Sequence, residues 1–250
     1  MSKLADRIQR TTRVEGRALG FSASTRKAPA TTILLVALVG EHWAQGTAEA
    51  QGADAVFLTG RPSDNDIAGA VAAANDTPLG VLASDVDSDR VAKLREAGVD
   101  FVAFDTNAPA NALAAEDIGF VLHVRDDLSD MHLRALGSLP LDALYLESGN
   151  AALTVARQME LRRVSGLARK PLLLPVRPDT QKDDLVALRE SGVTLLGIDM
   201  KERGASETLS RLRGVIEALP QRRVTRERPS EALLPRAAAA ASGGEDDDDE

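Results

Sequence analysis

The chain has 250 residues, of which 44% are apolar and only 3% aromatic, and it contains no cysteine. This length fits one large barrel or two small domains, and the lack of cysteine excludes a disulfide framework, a thiolate zinc site and a cysteine nucleophile. Most of the net charge of −8 lies in residues 245–250, which are all acidic; the 30 basic and 32 other acidic residues leave only −2. We therefore expect a soluble, cytoplasmic protein with no basic stripe for nucleic acid and no membrane-spanning segment.

The N-terminal end of the chain is basic and carries seven Lys or Arg residues against two acidic ones in its first 27 positions. Such a start is typical of a transit peptide, but neither an apolar signal core nor a convincing cleavage site accompanies it. Leu4 and Ile8 fall on one face of a helix over Lys3–Thr12. We predict that residues 1–30 form a helical arm whose apolar face covers the bottom of the following domain.

Eight short apolar runs follow between residues 31 and 219. They are continuous rather than alternating, which is typical of strands that are buried on both faces of a parallel sheet. The predicted strands cover residues 33–39, 55–58, 79–82, 101–104, 119–124, 143–146, 172–176 and 194–198. The clearest helices between and after them cover residues 64–74, 86–97, 129–136, 150–168, 180–190 and 205–219. The segments after the first and fourth strands are short and rich in alanine, so we expect stunted helices there.

Helix boundaries and connectivity together predict the fold. Gly98 and Gly192 lie just past predicted helix ends, and the predicted N-caps are Asp85, Asn150 and Asp179. Eight strand–helix alternations indicate either a closed (β/α)₈ barrel or an open doubly wound sheet. An open dinucleotide-binding sheet would carry a Gly-x-Gly-x-x-Gly motif after its first strand, and this chain does not. We therefore predict an α/β fold, a single TIM barrel over residues 31–219.

An internal repeat indicates two related halves. Residues 94–105 match residues 188–199, and each copy reads as a helix end, a glycine turn, a buried strand and an aspartate at the strand exit. Residues 54–58 resemble 142–146, and residues 77–79 resemble 170–172, at a similar half-barrel offset. Duplication of a four-strand unit explains these matches. The alternative is that helix–glycine–strand units converge on similar residues because their packing is the same.

The final segment, residues 220–250, differs in composition from the barrel. It is rich in Arg, Pro and Ala and ends in the acidic run, so we predict that it is disordered. Leu233 and Leu234 are its anchor-like apolar residues, and a protein partner bound through residues 221–250 is one hypothesis. The alternative is that the acidic run only aids solubility. The sequence leaves the oligomeric state open.

Candidate catalytic residues follow the predicted strands. In this class of barrel the site lies at the C-terminal ends of the strands, where Asp105, Glu147 and Asp199 follow strands four, six and eight and His123 lies in strand five. Strand alternation gives these side chains a common inward face, which Phe101 and Ala103 share in strand four and Tyr145 shares in strand six. The three carboxylates would suit Mg²⁺ or Mn²⁺, or all four groups could transfer protons without a metal. For each carboxylate, capping of the adjacent loop or helix is the alternative.

Candidate substrate-binding residues lie in the same loops. Arg61, Arg125 and Arg177 could hold a phosphate or carboxylate bidentately, so we expect a small anionic ligand. Each arginine could instead pair with a neighbouring aspartate. Trp43 could form a wall of the pocket or pack beneath the first loop.

Residues 96–100, Glu-Ala-Gly-Val-Asp, are followed by apolar residues and Asp105. This unit resembles the aldolase-type TIM barrels in general and the flavin- and nucleotide-binding barrels near inosine monophosphate dehydrogenase. The resemblance covers about two strand–helix units and implies an aspartate, here Asp105, that meets the ligand at the exit of strand four. The catalytic cysteine and glycine-rich phosphate loops of the latter barrels have no counterpart, so the resemblance does not carry over their activity.

Two functional hypotheses follow. The first is a small-molecule lyase or isomerase that uses the strand-end carboxylates, with or without a divalent ion. A Schiff-base mechanism is not expected, because no lysine lies within a predicted strand. The second is a non-catalytic binding or assembly module that acts through its charged C-terminal tail.

Overall fold

The structure, a computed structural model, describes residues 2–12, 33–84, 86–125, 128–147 and 152–220. Eight parallel strands form a closed barrel in sequence order, and β8 pairs with β1. The strands are β1 Leu34–Val39, β2 Ala55–Leu58, β3 Leu79–Leu82, β4 Phe101–Phe104, β5 Gly119–Val124, β6 Ala143–Leu146, β7 Leu172–Pro175 and β8 Val193–Asp199. The helices are α1 Lys3–Thr12, α2 Trp43–Glu49, α3 Asp64–Ala74, α4 Ser88–Glu96, α5 Asp130–Leu136, α6 Val155–Ala168, α7 Lys182–Glu190 and α8 Ala205–Glu217, with a 3₁₀ helix at Ala110–Ala114. The predicted α/β barrel is confirmed.

The strands are continuously apolar because both of their faces are buried. In β4, Val102 and Phe104 pack in the outer layer beneath the helices, whereas Phe101 and Ala103 point into the barrel lumen. Each strand therefore contributes to two apolar layers, and the polar–apolar alternation of a half-exposed strand is lost. Within the described ranges no helix is both long and apolar enough to cross a membrane.

The predicted stunted helices are also confirmed. Helix α2 has only seven residues, and the connection after β4 contains a five-residue 3₁₀ helix. Gly98 and Gly192 follow α4 and α7 with φ of 93° and 92°, a left-handed conformation that favours glycine. The predicted N-caps were wrong, because these helices begin later than expected. The observed caps are Asp87, Thr154 and Gln181 in place of Asp85, Asn150 and Asp179, of which the first two lie outside the described residues.

Matching contacts recur in the two halves of the barrel. Asp54, before β2, accepts a hydrogen bond from the Leu35 amide at 2.7 Å, and Asp142, before β6, accepts one from the Phe120 amide at 2.8 Å. Each carboxylate ties the start of its strand to the preceding strand. The repeated residues therefore encode repeated local structure.

Helix α1 lies at the bottom of the barrel. Leu4 and Ile8 are buried in the same apolar cluster as the lumen residues of the strands. The Asp100 carboxylate holds the start of the helix, since it accepts hydrogen bonds from the Lys3 amide at 2.7 Å, the Leu4 amide at 2.9 Å and the Ser2 hydroxyl at 2.8 Å. This satisfies amides that have no partner within the helix. Residues 13–32, which complete the predicted N-terminal arm, lie outside the described residues.

Three aromatic rings fill much of the lumen. The ring centroid of Phe57 lies 5.7 Å from that of Phe101 and 5.3 Å from that of Tyr145, with the latter pair edge to face. Gly80 of β3 makes room for this column, because a Cβ atom at that position would lie 2.0 Å from the Phe101 ring. The small residue and the large ring are therefore complementary parts of one packed layer.

We expect Gly80→Ala to lower the free energy of unfolding by about 1–3 kcal/mol or more, because the Phe101 ring has to move within a packed lumen. Gly166→Ala is the matched control: Gly166 lies in α6 with nothing within 4 Å of its would-be Cβ atom. That substitution should raise the free energy of unfolding by about 0.5–1 kcal/mol, because alanine has a higher helix propensity than glycine. Urea unfolding of the full chain measures both values, and equal effects of the two substitutions would contradict the proposed lumen packing.

Candidate functional site

A cavity of about 340 Å³ opens at the C-terminal ends of the strands. Leu38, Leu82 and Ile198 contribute apolar surface to its lining. Polar groups come from the ends of β6 and β8, which supply Glu147 and Asp199, and from the loop and first turns of α8. We call this space the mouth cavity. Its position agrees with the expectation that a barrel of this class carries its site at this end.

Tyr145 brings a polar group to the mouth cavity from a buried position. The residue is only 5% exposed, yet it contributes to the cavity lining. Its ring packs between Phe57 and His123, at 5.3 Å and 5.1 Å between centroids. Among the described residues its hydroxyl has no hydrogen-bond partner. Burial, with a smaller contribution from the negative charges of Glu147 and Asp199, raises the pKa of Tyr145 to about 12, so the phenol stays protonated at neutral pH.

Sequence reasoning placed Tyr145 and Glu147 on one face of strand six but did not select the tyrosine as a site residue. Two signals could have done so. Tyr145 is the only tyrosine of the chain, and it lies two residues before a strand-end carboxylate. A phenol at an inward position near a strand end brings a polar atom into an otherwise apolar lumen, where it needs a partner.

The predicted convergence of His123 and Glu147 is present in the structure. His123 pairs with Tyr145 in the ladder between β5 and β6, which places the imidazole beside the end of β6. Its Nε2 atom lies 3.3 Å from Oε2 of Glu147, and the histidine side chain is 20% exposed against 71% for the glutamate. Glu147 therefore reaches from solvent to the imidazole at the edge of the mouth cavity.

Asp105 and Asp199 occupy equivalent places in the two halves, but only Asp199 lines the cavity. Each carboxylate accepts a hydrogen bond from the backbone amide two residues later, at 2.8 Å from Asn107 and 2.9 Å from Lys201. Both therefore have the loop-capping role considered as the alternative. Asp199 combines this role with a position in the cavity wall.

The predicted metal set of Asp105, Glu147 and Asp199 is not assembled. Across the ranges that the structure describes, no group of three or more His, Asp or Glu side chains is arranged to hold a metal ion. The physical reason is the closed strand order, which puts β4 and β8 on opposite sides of the ring. Asp105 and Asp199 are consequently separated by the width of the mouth.

The predicted arginines do not line the mouth cavity. Arg177 donates two hydrogen bonds to Asp179 in its own loop, from Nε at 2.9 Å and from Nη2 at 2.8 Å. This guanidinium lowers the pKa of the Asp179 carboxyl. Arg61 lines a separate groove between α3 and α4, and Arg125 is exposed after β5.

Trp43 and Lys201 have structural contacts near the mouth. Trp43 is partly buried against the outer core, which agrees with packing beneath the first loop. Lys201 donates a hydrogen bond to Glu41 at 2.9 Å, and its side chain passes over Gly40. The pair links the loop after β8 to the loop after β1, next to the point where the barrel closes. It also raises the pKa of Lys201, so this amine stays charged.

No protein-family model and no curated protein matches this chain. Solved structures do. The tryptophan synthase of Pyrococcus furiosus, solved as its α2β2 complex, is 16% identical, with a TM-score of 0.57 over 75% of this chain and 97% of that chain. Thiamine phosphate pyrophosphorylase from the same organism is 13% identical, with a TM-score of 0.56 over 75% and 97%. KGPDC from Streptococcus mutans is 7% identical, with a TM-score of 0.60 over 74% and 97%. At these identities the likeness shows the fold alone, which is the TIM barrel.

We expect the sole tyrosine to titrate with a pKa of about 12, measured as the appearance of tyrosinate absorbance on raising the pH. Glu147→Gln and Asp199→Asn should each lower this pKa, because each removes a negative charge that opposes ionisation of the phenol. Glu207→Gln, a charge outside the cavity lining, is the control and should leave it nearly unchanged. An ordinary tyrosine pKa in the folded protein would contradict the burial of this side chain.

The same pKa shift predicts a pH dependence of stability. The folded-state pKa of about 12 exceeds the ordinary value of 10.0. The contribution of Tyr145 is therefore fully present below pH 10 and is lost as the pH rises towards 12, because the unfolded chain releases the proton first. In urea unfolding, Tyr145→Phe should remove this contribution to the loss of stability between pH 10 and pH 12. If the variant loses as much stability at alkaline pH as the parent chain does, other groups cause the loss.

Proposed function

We propose that this chain is a small-molecule enzyme, a lyase or an isomerase, that transfers protons in the mouth cavity. One observation carries the proposal: the phenol ring of Tyr145 is buried, and its hydroxyl, which has no partner among the described residues, faces a cavity that is also lined by strand-end carboxylates. The hydroxyl oxygen is open to the cavity rather than sealed in the core, so it is free to donate a hydrogen bond to a bound molecule. A substrate oxygen in the cavity would satisfy it.

The proposed mechanism assigns different roles to the two kinds of group. Asp199, or Glu147 at the end of β6, accepts a proton from a carbon next to a substrate carbonyl. Tyr145 donates a hydrogen bond to the carbonyl oxygen as negative charge develops there. If the carbon that lost the proton also carries a hydroxyl, the enediolate that forms takes the proton back at the former carbonyl carbon while that hydroxyl passes its own proton to the first oxygen and becomes the new carbonyl, which completes an isomerisation. If the next carbon carries a leaving group, the enolate restores the carbonyl by expelling that group with its bonding electron pair, and the proton held by the carboxylate can neutralise it, which completes a lyase reaction.

His123 is proposed as the group that exchanges protons with Glu147. Its Nε2 atom is 3.3 Å from the carboxylate, and its ring packs on Tyr145. A protonated imidazole at this place would stabilise ionised Glu147, and a neutral one could take up the proton that Glu147 has accepted. Its half-buried position gives it a route to solvent at the edge of the cavity.

The structural neighbours support an enzyme. Tryptophan synthase and thiamine phosphate pyrophosphorylase are enzymes by name, and KGPDC was solved in complex with a ligand. The argument from them is one of fold, which hosts many chemistries, so the reaction class rests on the cavity groups. The alternative of an assembly module that acts through residues 221–250 stays a prediction, because these residues lie outside the described part of the chain.

The proposal is tested by incubating the full chain with a defined library of small metabolites and following loss and gain of masses. We expect at least one substrate to be converted in the presence of a metal chelator, since no step is assigned to a metal. Tyr145→Phe and Asp199→Asn should slow conversion by about 10²–10³-fold, the range found when a hydrogen-bond donor or a base is removed from an active site.

Glu217→Gln, at the C-terminal end of α8 and away from the mouth, changes the net charge by the same amount as Asp199→Asn, and it should keep full activity. Circular dichroism and urea unfolding show whether each variant is folded. Conversion that persists in folded Tyr145→Phe together with Asp199→Asn would contradict the proposal, and so would a library of carbonyl compounds in which nothing is converted.

A further inference from the structure

The charge of the mouth cavity is informative about its ligand. Three carboxylates line it, those of Glu147, Asp199 and Glu202. Among the described lining residues there is no Lys, Arg or His. A cavity with this lining attracts positive charge and opposes the entry of phosphate or carboxylate.

Two of the cationic side chains near the mouth are engaged elsewhere. Arg177 forms its bidentate pair with Asp179, and Lys201 is bound to Glu41 at 2.9 Å. His123, when protonated, would offset the charge of Glu147 alone. Moving Arg177 or Lys201 onto an anionic ligand would require breaking an existing ion pair, so neither is preorganised for that purpose.

The beginning of α8 is another source of positive potential at the mouth, because the first amides of a helix attract anions. Here acidic side chains occupy that end. Glu202 lies in the cavity wall immediately before the helix, and Glu207 lies in its first turn, within 3.1 Å of where a Cβ atom on Gly204 would be. An anion approaching these amides would meet both carboxylates.

The hydroxyl of Tyr145 adds a second requirement. The residue is buried and contributes to the cavity, and its hydroxyl has no partner among the described residues, so the ligand should offer it an oxygen atom. Thr59 and Thr208 add further hydroxyl-bearing side chains to the lining. Leu38 and Leu82 give the lining an apolar surface, against which a short apolar part of the ligand can pack.

We infer that the mouth cavity binds a small molecule that carries a protonated amine together with hydroxyl or carbonyl oxygens. The amine lies against Asp199 and Glu202, and an oxygen accepts the hydrogen bond of Tyr145. This inference deepens the proposed function, since it names the substrate class of the same cavity. It replaces the sequence-based expectation of an anionic ligand, which depended on arginines that do not line the cavity.

The sole tyrosine provides a direct test. The full chain labelled with 3-fluorotyrosine has a single fluorine resonance, at position 145, and this resonance reports on ligands that enter the mouth cavity. Two sets of probes each contain an amine, a neutral compound and a carboxylate. The first set is ethanolamine, ethylene glycol and glycolate, and the second is glucosamine, glucose and glucuronate. Inorganic phosphate is the remaining probe.

We expect the amines to shift the resonance saturably, and at concentrations at least about fivefold below those at which their neutral and anionic counterparts act. Asp199→Asn keeps an oxygen acceptor for the Lys201 amide but removes the negative charge. Glu202→Gln removes a second negative charge. Each should weaken amine binding by up to about fivefold, and the double variant more. Glu207→Gln, which lies outside the lining, should have a smaller effect.

A stronger response to glycolate, glucuronate or phosphate than to the amines would overturn the inference, as would an equal response to amine and neutral probes or no response to either amine. These outcomes are distinct from failure of the proposed function. Amine binding without turnover of any amine or carbonyl compound would leave a binding protein with the inferred ligand class. Turnover of an anionic substrate would support an enzyme and refute the cationic ligand.

Discussion

The packing of the barrel lumen is the constraint on which the rest of the structure depends. Phe57, Phe101 and Tyr145 form a continuous column of rings in a chain with few aromatic residues. A ring of eight strands leaves an interior that side chains must fill, and the column fills it where alanine, valine and leucine alone would leave space. Helix α1 closes the column at the bottom with Leu4 and Ile8. At the top the column ends in a phenol, so the last packed ring is also the first polar group of the mouth cavity.

This arrangement leaves polar groups available to a ligand at the mouth. The ring of Tyr145 is held by apolar and aromatic neighbours, which fixes its hydroxyl, while carboxylates at the ends of β6 and β8 surround it with negative charge. These groups are poorly matched to one another: the hydroxyl is unpartnered among the described residues, and like charges face the same space. Such local conflict is expected where a protein keeps groups free for a ligand. An acidic lining of this kind discriminates among ligands by their charge.

The two halves of the chain show how similar residues can differ in their surroundings. Asp105 and Asp199 end equivalent strands and cap equivalent turns, and sequence reasoning gave them the same role. They differ because the cavity is not symmetric about the barrel axis: its lining comes from the ends of β1, β2, β3, β6, β7 and β8 and from the start of α8, and includes no described residue of β4 or β5. Arg177 illustrates the same limit, because the aspartate two residues later satisfies its guanidinium before any ligand can. Whether a neighbouring aspartate or a ligand binds such an arginine depends on loop geometry, and the periodicity of the strands does not specify that geometry.

The sequence alone determined the architecture. Continuous apolar runs, helical spacing and glycines at helix ends encode eight strand–helix units, because both faces of each strand are buried and each helix must stop in a left-handed turn. It also determined the parity of each strand, so that Phe101, Ala103 and Tyr145 were correctly expected to face inward. Only the tertiary structure decided which strand-end groups share a cavity, that Asp105 and the arginines stay outside its lining, and that Tyr145 lies within it. The reason is that the side of a strand on which a residue lies depends only on its few neighbours in the sequence. The distance between side chains on β4, β6 and β8 is instead set by closure of the whole ring and by the loops above it.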